Sequence, residues 1–177
     1  MKANDCLRRV RYILELDDTR MMATFAEGGQ VVDRQTISAW LKREEDPGYM
    51  VCEDRELASF LNGLIIVRRG RRPGPVMPPE QRLTNNLVLK KLKIAFSLDA
   101  EEILVMLAEQ AIELSKHELS ALFRNPSNRQ YRECKDQVLR NLLLALQNKY
   151  RPEGRLSSEP DPNSPWSQAQ SDRPKPS

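Results

Sequence analysis

The chain has 177 residues, 40% of them hydrophobic and 30% charged, with a net charge of +3, which suits one ordinary globular domain or two small ones and gives no bulk charge that points to nucleic acid. No apolar run approaches the ~18 residues that a membrane helix needs, and the start, MKANDCLRRV, lacks the apolar core of a signal peptide, so the expected compartment is the cytoplasm. Three cysteines cannot all pair, and cytosolic thiols stay reduced, so no disulfide is expected.

Helical periodicity begins at once. Cys6, Leu7, Val10, Ile13 and Leu14 share one helical face, and Asn4 is placed to cap that helix. A second helix starts at Asp17, where Leu16 and Met21 form the two ends of a hydrophobic staple. A third starts at Asp33, between Val32 and Ile37. After the polar loop REEDPGY comes a fourth, with Asp54 expected as its N-cap. The stretch GRRPGPVMPPEQR, residues 70–82, holds four of the twelve prolines. Proline removes backbone donors and fixes φ, so this stretch reads as a linker.

The same order then returns. Val88, Leu89, Leu92, Ala95 and Phe96 form an apolar face; Asp99 and Glu102 form a capping box, with Leu98 and Ile103 as staple; Ser115 and Glu118 form another, with Leu114 and Leu119. The loop RNPSNRQY precedes a last helix with Asp136 at its start. The offset between the copies is 82 residues and needs no gap from Asn4/Asn86 to Asn62/Leu144. Even a Tyr-x-x-Cys-x-Asp motif repeats, as Tyr49, Cys52, Asp54 and Tyr131, Cys134, Asp136. Such self-similarity marks a duplicated unit. The predicted fold is therefore all-α: two tandem four-helix repeats, residues 1–69 and 83–150, packed together as a pseudo-symmetric unit because each alone buries little core. A tail, residues 151–177, carries six more prolines and is expected to be disordered.

The stretches NDCLRRVRYILELDD, ISAWLKREEDPGYMVCEDRELASFLNGLIIVRRG, NNLVLKKLKIAFSL and RECKDQVLRNLL resemble the YehS-like bacterial proteins, a family of unknown function. The resemblance runs from residue 1 to about 150 and implies a two-repeat helical fold; it brings no catalytic residue and no cofactor, since none is established for the family.

The chemistry-bearing residues are sparse. The single histidine, His117, falls in a capping segment, and no close cysteine pair suggests zinc. The stretch EGGQ follows a helix rather than a strand, so it is no phosphate loop. No enzyme activity, cofactor or metal is expected. Within the Tyr-x-x-Cys-x-Asp motif, a small buried thiol, a docked tyrosine and a helix cap are the structural roles; a reactive thiol at a helix start is the functional one.

Two features lean toward binding. Arg8, Arg9 and Arg11 align with Lys90, Lys91 and Lys93, and Arg68 and Arg69 lie beside the linker; these read either as solvated faces or as phosphate contacts. The second and third helices form a loose helix-turn-helix whose exposed face would carry Arg34, Gln35 and Lys42 in one copy and Lys116 and Arg124 in the other. The joint EGGQVVD is longer than the usual turn. A nucleic-acid-associated, non-catalytic binding protein is the first expectation. A protein-interaction adaptor with an apolar groove between helices is the alternative.

Overall fold

In the computed structural model, which describes residues 1–152, the described residues hold eight α-helices and no strand. Repeat 1 contains α1 (Ala3–Ile13), α2 (Asp18–Glu27), α3 (Arg34–Leu41) and α4 (Asp54–Arg69). Repeat 2 contains α5 (Asn85–Ala95), α6 (Ala100–Glu109), α7 (Lys116–Leu122) and α8 (Asp136–Tyr150). Residues 153–177, most of the segment expected to be disordered, lie outside the described residues. Arg151 does not behave as tail: its guanidinium donates to the Tyr12 carbonyl at 3.2 Å and lies 4.4 Å from the Tyr12 ring centroid.

The helix starts follow their capping side chains. Asp17 accepts from the Arg20 amide, Asp33 from Thr36, Thr84 from Leu87, Asp99 from Glu102 and Ser115 from Glu118. The helix ends share one device. At the ends of α1, α2, α5 and α6 the chain turns through a left-handed residue: Glu15 (φ 52°), Gly29 (φ 87°), Ser97 (φ 53°) and Ala111 (φ 59°). At each, the next amide reaches the carbonyl three residues before the helix end's cap, as Leu16 does to Arg11 and Ile112 to Leu107, which is a Schellman closure. Glycine adopts this backbone freely, so Gly29 explains EGGQ as a helix stop.

Within repeat 1, α2 and α4 cross at very close range. A Cβ on Gly28 would lie 1.8 Å from the Ser59 carbonyl oxygen, and one on Gly63 would lie 1.8 Å from the Thr24 oxygen. The equivalents in repeat 2 are Gln110 and Ala145, so this close crossing is particular to the first copy. Phe25 fills the remaining space, with its ring centroid 5.4 Å from Trp40 and 5.2 Å from Phe60; Leu107, Leu122 and Leu142 stand at these positions in repeat 2.

The repeats exchange partners. The end helix α4 packs against α5, the first helix of the other repeat, and α8 packs against α1. Two copies that each present the same pair of surfaces to the other form an isologous interface around a dyad, here a pseudo-dyad within one chain. The buried residues of both repeats, from Leu7 and Phe60 to Leu89 and Leu146, join in one apolar core.

Two expectations for individual residues are corrected. Asn4 is not a cap: Lys2 occupies that position, and Asn4 is a buried first-turn residue. Its amide nitrogen donates to the carbonyls of Trp40 (2.9 Å) and Met50 (2.8 Å), and its oxygen accepts from the Cys52 amide (2.9 Å). Asn86 makes the same bonds to Leu122, Arg132 and Cys134. Asp54 and Asp136 are first helical residues, not caps; Glu53 and Lys135 precede them as caps, and Glu53 forms a capping box with Glu56. The two aspartates reach across to the other repeat. Asp54 accepts from the Leu83 amide at 2.9 Å, and Asp136 accepts from the Met1 amino group. Leu83 and Met1 are themselves 82 residues apart, so the ties are equivalent.

The repeated motif thus acquires a physical meaning. Its cysteine amide is held by the buried Asn, its aspartate ties the repeats, and its thiols are buried free cysteines. Burial pushes the Cys6 thiol up to about 12 and the Cys134 thiol up to about 11, and raises that of Cys52 as well. These groups are neutral, weakly nucleophilic side chains at neutral pH.

Candidate functional site: a basic cleft between α1 and α8

Several of the cations suggested by the sequence bond the protein itself. Arg8 donates to the Lys42 carbonyl at 2.6 Å and pairs with Asp5. Lys91 is largely buried and bridges Asn62 (2.6 Å) and the linker residue Glu80 (2.8 Å). Lys93 lies 5.2 Å from the Phe123 ring centroid. Arg68 donates to the Ala95 carbonyl at 2.7 Å and stacks on Phe96, while Arg69 donates to the Ser97 hydroxyl at 2.6 Å. The structure places these five in the fold's own contacts.

The helix-turn-helix candidates are more exposed. Arg34 and Gln35 lie beside Lys42 and Gly48 around a shallow depression. Arg34 faces Asp18 at 3.7 Å, and Lys42 donates to the Pro47 carbonyl at 2.9 Å. Lys116, the counterpart of Arg34, pairs with Glu101 at 2.5 Å. The Nε of Arg124 is buried without a protein partner. Arg11 and Lys90 are exposed, and neither has a hydrogen-bond or ion-pair partner among the described residues.

Arg9 behaves differently. It lies in an open cleft of about 660 Å³ between α1 and α8, lined by Met1, Asp5, Arg8, Arg9, Tyr12, Arg140 and Gln147. Among the described residues Arg9 has no hydrogen-bond or ion-pair partner, although it is half-buried. Asp5 is held by Arg8. Asp136 lies near the rim, where it accepts from Met1 and Asn85 and faces Arg140 at 3.9 Å; these partners hold its carboxyl below the usual range, the Met1 amino group first. The cleft's surplus charge is positive, because its carboxylates already serve cations while Arg9 serves none among the described residues.

The pseudo-dyad supplies a built-in comparison. Met1, Asp5, Tyr12, Arg140 and Gln147 occupy the positions that Leu83, Leu87, Ile94, Ala58 and Ile65 hold on the α4–α5 side. There these five positions are apolar, beside the charged Lys90 and Lys91, and helices α4 and α5 make more extensive contact than α1 and α8 do. Five apolar positions on one side of the axis are therefore polar or charged on the other, apart from the methionine side chain, whose amino group supplies the charge. Single positions such as Tyr12 were visible in the sequence, but their convergence was not, because the cleft is built from α1 of one repeat and α8 of the other.

Fold and cleft together define a helical two-repeat protein with one closed and one open inter-repeat seam. The chain belongs to DUF1456, a family of proteins of unknown function, whose model matches residues 3–70 and 85–152, one repeat each. It is 44% identical over 147 residues to the uncharacterised protein YehS of Escherichia coli (strain K12), covering 82% of this chain and 94% of that protein. No solved structure matches it. Among the described residues no helix is long and apolar enough to cross a membrane, and no group of three or more His, Cys, Asp or Glu side chains could hold a metal ion.

Proposed function

We propose that the chain is a non-catalytic binding protein that receives an anionic segment of another macromolecule in the α1–α8 cleft. The observation that carries this reading is Arg9, half-buried and without a partner among the described residues, facing a seam whose equivalent across the pseudo-dyad is lined mainly by apolar side chains. Leaving such a seam open forgoes the burial that the opposite side enjoys, worth ~25 cal/mol per Å² of apolar surface, so the open form suits a ligand better than it suits the fold. A protein partner is favoured over nucleic acid because Arg8, Lys91, Lys93, Arg68 and Arg69 are committed to internal contacts. Nucleic acid is the second reading, favoured by Arg11 and Lys90, which are exposed and free of partners among the described residues.

Titrating the full chain with an acidic peptide and with mixed-sequence DNA, at low and moderate salt, tests the reading. Salt-sensitive binding of either anion that is lost on changing Arg9→Gln supports an anion-receiving cleft. Binding of neither, or binding unaffected by that change, removes it.

A further inference from the structure

Resting on the anion-receiving cleft just described, the geometry points to the chemical class of its occupant: a carboxylate side chain presented by an extended acidic segment of a partner protein. The chain already holds such a group at the equivalent place. Lys91, the counterpart of Arg9, is bridged by Glu80 at 2.8 Å, and Glu80 comes from the linker stretch Pro78-Pro79-Glu80. Two adjacent prolines favour extended backbone there and leave their own two positions without N–H donors to satisfy. On the α4–α5 side the seam therefore accommodates one carboxylate, delivered by a proline-rich linker segment that reaches Lys91 on α5.

The open side keeps the cation and changes its surroundings in a consistent direction. Arg9 replaces Lys91, and a guanidinium matches a carboxylate with two parallel donors where an ammonium offers a point charge. Arg140 stands where Ala58 stands on the other side, adding a second guanidinium, and Gln147 in place of Ile65 adds an amide able to bond a peptide backbone. Tyr12, 48% exposed and stacked on Arg151, adds an aromatic edge to the cleft against which an extended chain can lie. A cleft of about 660 Å³ has room for side chains of a peptide strand. Asp5 and Asp136 do not oppose the carboxylate directly, since each is already paired with a cation.

The test uses the full chain and a labelled peptide of alternating Pro and Glu, its Pro-Gln counterpart, and a mixed-sequence single-stranded DNA. The Pro-Glu peptide is expected to bind in a salt-sensitive manner and the Pro-Gln peptide to bind at least ~10-fold more weakly. The double change Arg9→Gln with Arg140→Ala, the latter importing the residue of the closed seam, should weaken the Pro-Glu peptide by at least ~10-fold with an unchanged melting temperature. Lys90→Gln should leave peptide binding as it was. Amide shifts of the unmodified chain during the titration provide a readout free of folding effects, and they should concentrate at Arg9, Tyr12, Arg140 and Gln147. Equal binding of the two peptides, or shifts elsewhere, overturns the carboxylate assignment. Tighter binding of the DNA, lost in the same double variant, also overturns it while leaving the anion-receiving cleft standing. If none of the three probes binds, both fall.

Discussion

Arg68 and Tyr150 are the same position of the two repeats, 82 residues apart, and they touch: the guanidinium donates to the tyrosine hydroxyl at 3.2 Å and lies 5.8 Å from its ring centroid. A residue that contacts its own equivalent lies on the axis relating the copies, so the pseudo-dyad passes between the ends of α4 and α8. The next position repeats the pattern reciprocally. Arg69 reaches Ser97 and Arg151 reaches Glu15, and these two acceptors are again equivalents. The ends of α4 and α8 thus clasp the ends of α5 and α1.

Asn4→Ala and Asn86→Ala are expected to be among the most destabilising single changes. Each removes three hydrogen bonds from a buried amide and leaves two carbonyls and an amide without partners. One unsatisfied buried group costs about 1–3 kcal/mol, so a loss of ~3 kcal/mol or more is expected in urea denaturation. A loss below ~1 kcal/mol would show that water replaces the amide without difficulty.

The crossing of α2 and α4 should reject even a methyl group. Gly63→Ala and Gly28→Ala each bring a Cβ to 1.8 Å from a backbone oxygen, a clash that forces the helices apart at a cost of ~1–3 kcal/mol or more. Thermal unfolding should show a clear drop for both. Ala145→Gly, at the equivalent site of repeat 2, should cost only ~0.5–1 kcal/mol, the ordinary penalty of glycine inside a helix.

Ala111→Gly should do the opposite. Ala111 holds φ at 59° in a helix stop where repeat 1 uses Gly29, and an L-residue there costs roughly 1–2 kcal/mol. Chemical denaturation should record a gain of about 1 kcal/mol, with no change in the helical circular dichroism.

The three thiols give a pH dependence of definite sign. Their folded values are raised above the ordinary 9.0 by burial, to about 12 for Cys6 and about 11 for Cys134, with Cys52 raised too. An unfolded thiol releases its proton first, so the stabilising contribution is fully present below the unfolded value and is lost as pH rises toward the folded ones. Stability should be insensitive to these groups near neutral pH and should fall between pH 9 and 12. A disulfide-exchange reagent near neutral pH should label all three at the rate of unfolding. Rapid labelling of one thiol in the folded chain would show that it is accessible and activated.

Residues 1–70 alone should fail to fold cooperatively. They would expose the faces of α1 and α4 that pack against α8 and α5, and Asp54 would lose the Leu83 amide. A fragment that melts sharply as a monomer would refute shared packing of the repeats.

Most helices were legible because capping and periodicity act locally: Asp33 or Ser115 caps its helix whatever lies beyond it. Asn4 was misread for an equally physical reason. Asparagine near a helix start is a common cap, and only the tertiary path of the loop after α3 shows that its amide is buried and committed to that loop. Asp54 and Asp136 were misjudged by one position, and each also bonds across to the other repeat, Asp54 to Leu83 and Asp136 to Met1, a tie that no local pattern reveals. The cleft was hidden most deeply. Tyr12 and Arg140 align with Ile94 and Ala58, but that these differences meet in one place depends on α8 crossing over to α1.

The reciprocal clasp also bears on the order in which the chain could be strung. Because an approximate two-fold axis relates Arg69 to Arg151 and Leu83 to Met1, the path from the end of α8 to the start of α1 spans the same gap that residues 70–82 span between α4 and α5. A circular permutant that opens between Arg69 and Leu83 and joins Arg151 to Met1 through a copy of that segment would keep the contacts between helices. The covalent link between the halves is, in this sense, interchangeable with its missing mirror, and the molecule's shape belongs to the seams rather than to the thread.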